Sequence, residues 1–151
     1  MMKKIRKTGP ICCRVVVPGS KSITNRALIC AALSEKKIEL TGVLDSEDTQ
    51  VMINALRTLG LQISHDTNQA TIQMQGCGGR FPNRKADINT ANSGTTARFL
   101  TAVLAATTGC NFRIYGKPRM HERPIGDLVD GLCQLGAQIA YAGQKGFPPL
   151  R

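Results

Sequence analysis

One short loop of the chain has residue types that suit the binding of a phosphate group. Pro18-Gly19-Ser20-Lys21-Ser22 lies between a predicted strand and a predicted helix. Glycine lets the backbone approach a ligand closely, serine hydroxyls and helix N-terminal N–H groups donate hydrogen bonds, and Lys21 adds a positive charge. Arg26 follows Ser22 by one helical turn and can face the same anion. The loop is not a Walker A motif, because Ser20 separates its glycine from its lysine. A solvated turn with a capping serine is the alternative interpretation.

Two later segments offer similar chemistry. Asn92-Ser93-Gly94-Thr95-Thr96-Ala97-Arg98 combines an amide, three hydroxyls and a glycine, with Arg98 about one turn into a predicted helix. Arg119-Met120-His121-Glu122-Arg123-Pro124 carries two arginines, Arg119 and Arg123, which can each bind a carboxylate or phosphate bidentately. An ordinary helix cap and a charged surface loop are the alternatives. Because the first two segments both stand at helix starts, we expect an anion site.

Hydrophobic periodicity predicts the elements that position these segments. The first half of the chain alternates between patterns of period 2 and period 3.6, separated by glycine and proline. Ser46 is the predicted N-cap of the second helix and Gly60 its C-terminal stop. The predicted order is β-α-β-α-β-β: strand Cys12–Val17, helix Ser22–Ser34, strand Lys37–Thr41, helix Ser46–Leu59, and a hairpin of Leu61–Ser64 with Ala70–Gln75.

The same pattern occurs twice along the chain. Three segments that begin at Thr24, Ile38 and Leu56 have counterparts, in the same order, 72 to 76 residues later. This repetition predicts an internal duplication, with unit one at about 18–80 and unit two at about 84–151. In unit two the strand that would match Ala70–Gln75 is missing or only begun, so we expect the chain to end within that unit.

Composition limits the classes of partner. The 151 residues include 20 Lys and Arg against 10 Asp and Glu, for a formal net charge of +10, and only 4% are aromatic. The charge calls for an anionic partner, whereas the scarcity of aromatic residues disfavours a platform for single-stranded nucleic acid. No apolar run is long enough for a membrane span, and no signal peptide is recognisable. We therefore expect a cytoplasmic protein with no membrane partner.

The remaining titratable residues favour structural roles. The six cysteines form no C-x-x-C pair, so no metal site is expected, and Cys30 and Cys133 are predicted to be buried thiols. Arg80, Arg84 and Lys85 are interpreted as solvating the connection between the units. Asp48 and its acidic neighbours are expected to stabilise a helix N-terminus. A shaping role for Asp48 at the anion site remains an alternative.

Three segments together resemble the signatures of the 5-enolpyruvylshikimate-3-phosphate synthase family. We call them signature one (Pro18–Ala27), signature two (Asn92–Arg98) and signature three (Arg119–Ile125). They occur in the order found in that family, and the resemblance extends over almost the whole chain from about Val15.

The resemblance implies a fold and an activity. The family transfers the enolpyruvyl group of phosphoenolpyruvate to the 5-hydroxyl of shikimate 3-phosphate, releases phosphate, and serves chorismate and aromatic amino-acid synthesis. Its α/β fold has two domains, each of three β-α-β-α-β-β units, and it needs no metal or organic cofactor. By this resemblance, 18–151 is an incomplete N-terminal domain. Segment 1–17 would normally pair with the C-terminal domain, which is absent from this sequence.

The resemblance also implies roles for individual residues. Shikimate 3-phosphate would be held by Lys21, Ser22 and Arg26. Phosphoenolpyruvate, with which glyphosate competes, would be held by Lys21, Asn92, Gly94 and Arg123. Supporting roles fall to Thr95, Arg98 and Arg119. Lys21 is the one implied catalytic residue here, because the family's acid–base carboxylates lie in the C-terminal domain. We therefore expect the fragment to be inactive alone and the full-length enzyme to be a monomer.

Two alternatives remain open from the sequence. The sister enzyme that acts on UDP-N-acetylglucosamine shares the fold, but it typically has G-x-K-N where this chain has Gly19-Ser20-Lys21-Ser22, and Lys117–Glu122 lacks its reactive cysteine. A small basic module that binds nucleic acid would instead need Lys and Arg clustered on one face. Here several basic residues stand beside Gly, Ser and Thr at helix starts, so we expect no nucleic-acid partner.

Overall fold

A computed structural model of the chain describes Lys4 and residues 9–151. The elements follow one another as α and β segments, with one short 3-10 helix before the last α-helix. The helices are α1 (Lys21–Leu33), α2 (Glu47–Thr58), α3 (Gly94–Ala105), the 3-10 helix Pro118–Glu122 and α4 (Gly126–Gln134). The strands are β1 (Lys37–Thr41), β2 (Ile63–Asp66), β3 (Thr71–Gln75), β4 (Lys85–Asn89) and β5 (Asn111–Tyr115).

The strands form two small sheets. In the first sheet β3 lies in the centre and pairs antiparallel with both β1 and β2. In the second sheet β4 and β5 are parallel, with Ile88 opposite Ile114. Leu150 then forms antiparallel bridges with both Ile114 and Tyr141. Leu150 therefore takes the central place in unit two that β3 takes in unit one.

One hydrophobic core runs through both units. Leu28, Met52, Ile72, Leu100 and other apolar side chains from α1, α2, α3 and the sheets are fully buried in it. A smaller cluster of Ile125, Val129 and Leu150 lies under α4. Because α1 and α3 bury faces in the same core, their N-terminal ends are fixed relative to each other.

The structure confirms most of the predicted elements of unit one. Strand β1 has the predicted bounds, the hairpin is present as β2 and β3, and α1 begins one residue before its predicted start. Ser46 caps α2, and Gly60 follows the end of that helix with φ = 97°. The α/β fold class is thus confirmed.

Several expectations were wrong. The predicted strand Cys12–Val17 is in no strand, and Val16 is 88% exposed. Among the described residues none pairs with this segment, and a strand exists only when a neighbour accepts and donates its backbone hydrogen bonds. Residues 1–3 and 5–8 of the predicted opening segment lie outside the described residues. Cys30 and Cys133 are exposed rather than buried, because the helix faces that carry them are turned to solvent.

A strand also lies where a linker was expected. Lys85 begins β4 instead of solvating a connection between the units. Its pattern is hard to recognise, because Lys85, Asp87 and Asn89 are exposed and only Ile88 is fully buried. Among the described residues, no helix is both long and apolar enough to cross a membrane.

Candidate functional site

Signature one places Lys21 at the first residue of α1. The Ser20 hydroxyl caps this helix by accepting a hydrogen bond from the Ile23 N–H at 3.4 Å. The backbone at Gly19 runs so close to Gly42 that a Cβ there would overlap the Gly42 carbonyl oxygen. This close approach brings the start of α1 beside the start of α2, where the Lys21 ammonium donates to Asp48 Oδ2 at 2.9 Å.

Asp48 is the acid around which the signatures meet. Local capping of α2 does not use it, because Ser46 and Thr49 form the capping box between themselves. Partial burial alone would raise the pKa of Asp48. The Ser93 hydroxyl, the ion pair with Lys21 and the charge of Arg123 outweigh this effect and hold that pKa below its ordinary value. The expected role at the helix N-terminus is therefore incomplete, since Asp48 also contacts signatures one and two.

Signature two forms the start of α3. The Ser93 hydroxyl accepts a hydrogen bond from the Thr96 N–H at 3.3 Å, so Ser93 is the N-cap and Gly94 the first helical residue. A Cβ on Gly94 would lie 2.8 Å from the Arg123 guanidinium carbon. Glycine at this position therefore lets an arginine lie directly on the helix start. Thr95 is half-buried in the first turn.

Signature three is tied to the start of α3 by two arginines. Arg123 Nη1 donates to the Asn92 carbonyl oxygen at 3.1 Å. Arg98 donates to the Pro124 carbonyl oxygen at 2.8 Å and to the Gly94 carbonyl oxygen at 3.3 Å. The bonds to Asn92 and Pro124 fix the loop before α4 against the start of α3. Arg98 is thus placed where it supports both segments.

A cavity of about 420 Å³ opens at this junction. It is lined by Asn92, Arg119, Glu122 and Arg123. The side chain of Arg119 is 82% exposed and lies 3.8 Å from the Glu122 carboxylate, a separation that solvent screens. A larger cavity of about 780 Å³, between α3, β5 and residues 136–140, contains none of the predicted site residues.

Arg26 lies one turn into α1 and faces the other unit. Its Nη1 donates to the Ser22 carbonyl oxygen at 3.0 Å, and its guanidinium carbon lies 5.6 Å from the centre of the Phe99 ring on α3. At that distance the cation is attracted to the aromatic face. Ser22 and Arg26 are both exposed, so either can meet a ligand from solvent.

The arrangement suits small anions that carry phosphate or carboxylate groups. Lys21 and Arg123 both act electrostatically on Asp48, and the positive N-terminal ends of α1 and α3 lie at the same junction. Charge-assisted hydrogen bonds from such groups are stronger than neutral ones. The site's chemistry is therefore mainly that of fixed positive charge.

Three residues of this junction have more contacts than the sequence predicts. For Asp48 the sequence favours a helix-end role and leaves a shaping role at the anion site as the alternative. Ser93 is predicted only as part of a motif, and no contact between Phe99 and Arg26 is predicted. A signal for Asp48 was present: Ser46 and Thr49 already satisfy the capping pattern, which leaves the Asp48 carboxylate free. The contacts of Ser93 and Phe99 cross between units and leave no local pattern.

Comparison with known proteins agrees with this geometry. Residues 5–151 match the family model of EPSP synthase (3-phosphoshikimate 1-carboxyvinyltransferase). The chain is 53% identical over 137 residues to the 3-phosphoshikimate 1-carboxyvinyltransferase of Burkholderia vietnamiensis, covering 91% of this chain and 31% of that protein. A relative of the same name from Bordetella pertussis is also 53% identical over 137 residues, covering 91% of this chain and 30% of that protein.

Solved structures give the same result. The EPSP synthase from Acinetobacter baumannii superposes with a TM-score of 0.80 at 29% identity, over 90% of this chain and 31% of that one. The chain thus spans about a third of the length of the relatives it matches. With its family model matched over residues 5–151 and its fold shared, the chain belongs to the EPSP synthase family.

Proposed function

We propose that this chain carries part of the substrate site of an enzyme that transfers the enolpyruvyl group of phosphoenolpyruvate to the 5-hydroxyl of shikimate 3-phosphate. The products are 5-enolpyruvylshikimate 3-phosphate and phosphate. One observation carries the proposal: Lys21 pairs with Asp48 at 2.9 Å, Arg123 lies on Gly94 and donates to the Asn92 carbonyl oxygen, and both Ser93 and Arg123 lower the pKa of Asp48, so the three signatures meet at one point. Both substrates are phosphorylated carboxylates, which need such a cluster of cations.

The residues divide between the two substrates. Lys21, Ser22 and Arg26, along the first turns of α1, would hold shikimate 3-phosphate. Asn92, Gly94 and Arg123, at the cavity and the start of α3, would hold phosphoenolpyruvate together with Lys21. Thr95, Arg98 and Arg119 would support this loop.

Lys21 would serve both substrates and the reaction itself. Its ammonium stands at the junction of the signatures, where a proton donor near the enol group assists addition of the hydroxyl. Fixed positive charge beside the phosphate and carboxylate also stabilises charge that develops during the transfer. Water exclusion would strengthen both effects.

Titration of the chain with shikimate 3-phosphate, followed by two-dimensional NMR of the backbone amides, tests the proposal. We expect Lys21→Met to weaken binding about tenfold, because a charge partner of the phosphate is lost. Lys36→Met is the matched control: it removes the same charge beyond the opposite end of α1, roughly 20 Å away. Equal affinities of the wild-type chain and Lys21→Met would contradict the proposal.

We also propose that the 151 residues do not turn over alone. A phosphate-release assay with both substrates tests this point, and measurable turnover above the blank would refute it. The family implies acid–base carboxylates outside this sequence, so binding without turnover is the expected result.

Two competing functions give distinct outcomes. A nucleic-acid module would bind DNA or RNA with an affinity that falls steeply as salt rises, and would not respond to shikimate 3-phosphate. The sister reaction would require a response to UDP-N-acetylglucosamine. We expect no response to nucleic acid or to UDP-N-acetylglucosamine at concentrations at which shikimate 3-phosphate saturates the chain.

A further inference from the structure

We infer that Asp48 is a positioning residue of the anion site: its carboxylate holds the Lys21 ammonium at the junction where signatures two and three face it. This inference rests on the proposed function, since it assigns how the principal cation of that site is held. It gives Asp48 a role beyond its place in the first turn of α2.

Lys21 needs an anchor to act at one point. A lysine ammonium sits on a flexible four-carbon stem, and an unanchored one spreads over many rotamers. The Lys21 side chain is 48% exposed, whereas that of Asp48 is 28% exposed. The hydrogen bond of 2.9 Å therefore joins a mobile cation to the less exposed group. This contact selects one position for the ammonium before a substrate arrives.

Asp48 is itself held from the second unit. Ser93 and Thr96 are buried, their hydroxyl oxygens lie 2.9 Å apart, and the Ser93 hydroxyl accepts from the Thr96 N–H. The Ser93 hydroxyl also lowers the pKa of Asp48, so the start of α3 stabilises the carboxylate that pairs with Lys21. Asp48 thus links the start of α3 to Lys21 at the start of α1.

Positioning and plain electrostatics predict effects of opposite sign. A carboxylate among cations repels an anionic ligand, so electrostatics alone predicts that removing its charge tightens binding. If Asp48 positions Lys21, removing the charge releases the ammonium and weakens binding instead. The sign of one affinity change therefore separates the two roles.

The experiment compares shikimate 3-phosphate affinity among variants of the chain at constant pH and salt. We expect Asp48→Asn to weaken binding about fivefold. Glu47→Gln is the matched control, because it removes the same charge from the preceding residue, whose side chain is 75% exposed. It should leave affinity unchanged or slightly higher. Asp48→Glu keeps the charge but displaces it by one methylene, so it should also weaken binding, about threefold.

Two results would overturn the inference: Asp48→Asn that binds as tightly as wild type or tighter, or Asp48→Glu at full affinity. Thermal unfolding of each variant shows whether the fold is retained. NMR titration of the Asp48 carboxyl carbon gives a second readout, because it reports directly whether Lys21 and Asp48 are coupled. Lys21→Met should shift this titration to higher pH, while Lys36→Met should not.

The failure of the proposed function is distinguishable. A wild-type chain that binds no shikimate 3-phosphate would overturn that function, and the carboxyl titration would then decide the inference alone. An Asp48 signal that is unchanged by Lys21→Met would show that the two groups are not coupled, which overturns the inference.

Discussion

The two units build the same helix ends on different sheets. Ser20 and Ser93 cap the helices that carry signatures one and two, and each accepts from the N–H three residues on. Gly60 and Gly136 follow the second helix of each unit with φ values of 97° and 95°. In both places the glycine N–H and the N–H after it return to carbonyls of the last turn. These paired bonds are those of a Schellman motif.

The sheets of the two units differ. Unit one has three antiparallel strands, β1, β3 and β2, and its Cys12–Val17 segment is in no strand. Unit two has a parallel pair, β4 and β5, and only Leu150 in the central place of a third strand. Serine caps and glycine stops therefore persist while strand pairing changes. Helix ends are set by residues a few positions apart, whereas pairing depends on distant segments.

The site divides its charges between the units. Unit one supplies Lys21 and Asp48, and unit two supplies Ser93 and Arg123. Asp127 of α4 has the same helical position as Asp48 of α2, the second residue, yet it is exposed. Equivalent places in a duplicated fold thus differ in their contacts because different neighbours face them.

The largest expected effect concerns the loop crossing beneath each signature. In unit one, Gly19 passes the Gly42 carbonyl oxygen; in unit two, Gly116 passes the Ala91 carbonyl oxygen. The close approach therefore requires a glycine in the segment before the helix in unit one and in the segment after the strand in unit two. Gly116→Ala should lower the free energy of unfolding by about 3 kcal/mol, because the added Cβ meets backbone that cannot move aside. Chemical denaturation measures this loss.

A control for this substitution is available in α4. Gly131 has open space around its Cα, so Gly131→Ala should raise the free energy of unfolding by about 0.5 kcal/mol. If Gly116→Ala, like Gly131→Ala, caused no loss of stability, the backbone at Gly116 would not lie close to the Ala91 carbonyl oxygen in solution. The two crossings would then no longer be equivalent.

The sequence predicts features that depend on residues a few positions apart, and it fails for features that depend on distant segments. Strand β1, the Ser46 cap and the Gly60 stop are local patterns, and each was predicted. Strand β4 was missed, because its partner β5 begins more than twenty residues later and its exposed side chains are polar. Applying the repeat to Cys12–Val17 would have indicated a strand near residue 85.

The site shows the same limit. The signatures locate Lys21, Asn92 and Arg123, but no sequence pattern shows that Asp48 lies between the first and second signatures. Contacts between units arise only when the shared core brings α1 and α3 together. The roles of the site residues toward substrates remain predictions that the titrations described above test.

An intermediate effect concerns equivalent buried positions of α1 and α3. Asn25 follows Thr24, and Ala97 follows Thr96; Asn25 and Ala97 are 0% and 1% exposed. Among the described residues, neither polar atom of the Asn25 amide has a hydrogen-bond partner. A buried amide without partners is costly, so Asn25→Ala should raise the free energy of unfolding by about 1 kcal/mol. The reciprocal Ala97→Asn should lower it by about 2 kcal/mol.

Denaturation of both variants checks this pair of opposite signs. Destabilisation by Asn25→Ala would show that a water molecule or a protein group satisfies the amide in solution. The two units would then differ at this position because Asn25 forms a hydrogen bond that Ala97 cannot form, and not because Asn25 is an unsatisfied buried amide.

The smallest expected effect is the difference in stability loss between substitution of Asp48 and substitution of Asp127. Both acids favour their helix N-termini, so Asp127→Asn should cost about 0.3 kcal/mol of stability at neutral pH. Asp48→Asn should cost about 0.5 kcal/mol more, because the ion pair with Lys21 is also lost. The increment is small since solvent screens a partly exposed pair.

The pH dependence of the free energy of unfolding tests the contribution of Asp48 a second time. The pKa of Asp48 is lowered in the folded chain, so its contribution is fully present above the ordinary aspartate pKa of about 4. It is lost as the pH falls through the lower folded value. The stability difference between wild type and Asp48→Asn should therefore stay constant from pH 7 to about pH 5 and vanish in acid. Urea denaturation at several pH values measures it. A difference that grows as the pH falls would mean that the Asp48 carboxylate is destabilised in the folded chain, opposite to the effect expected for Asp127.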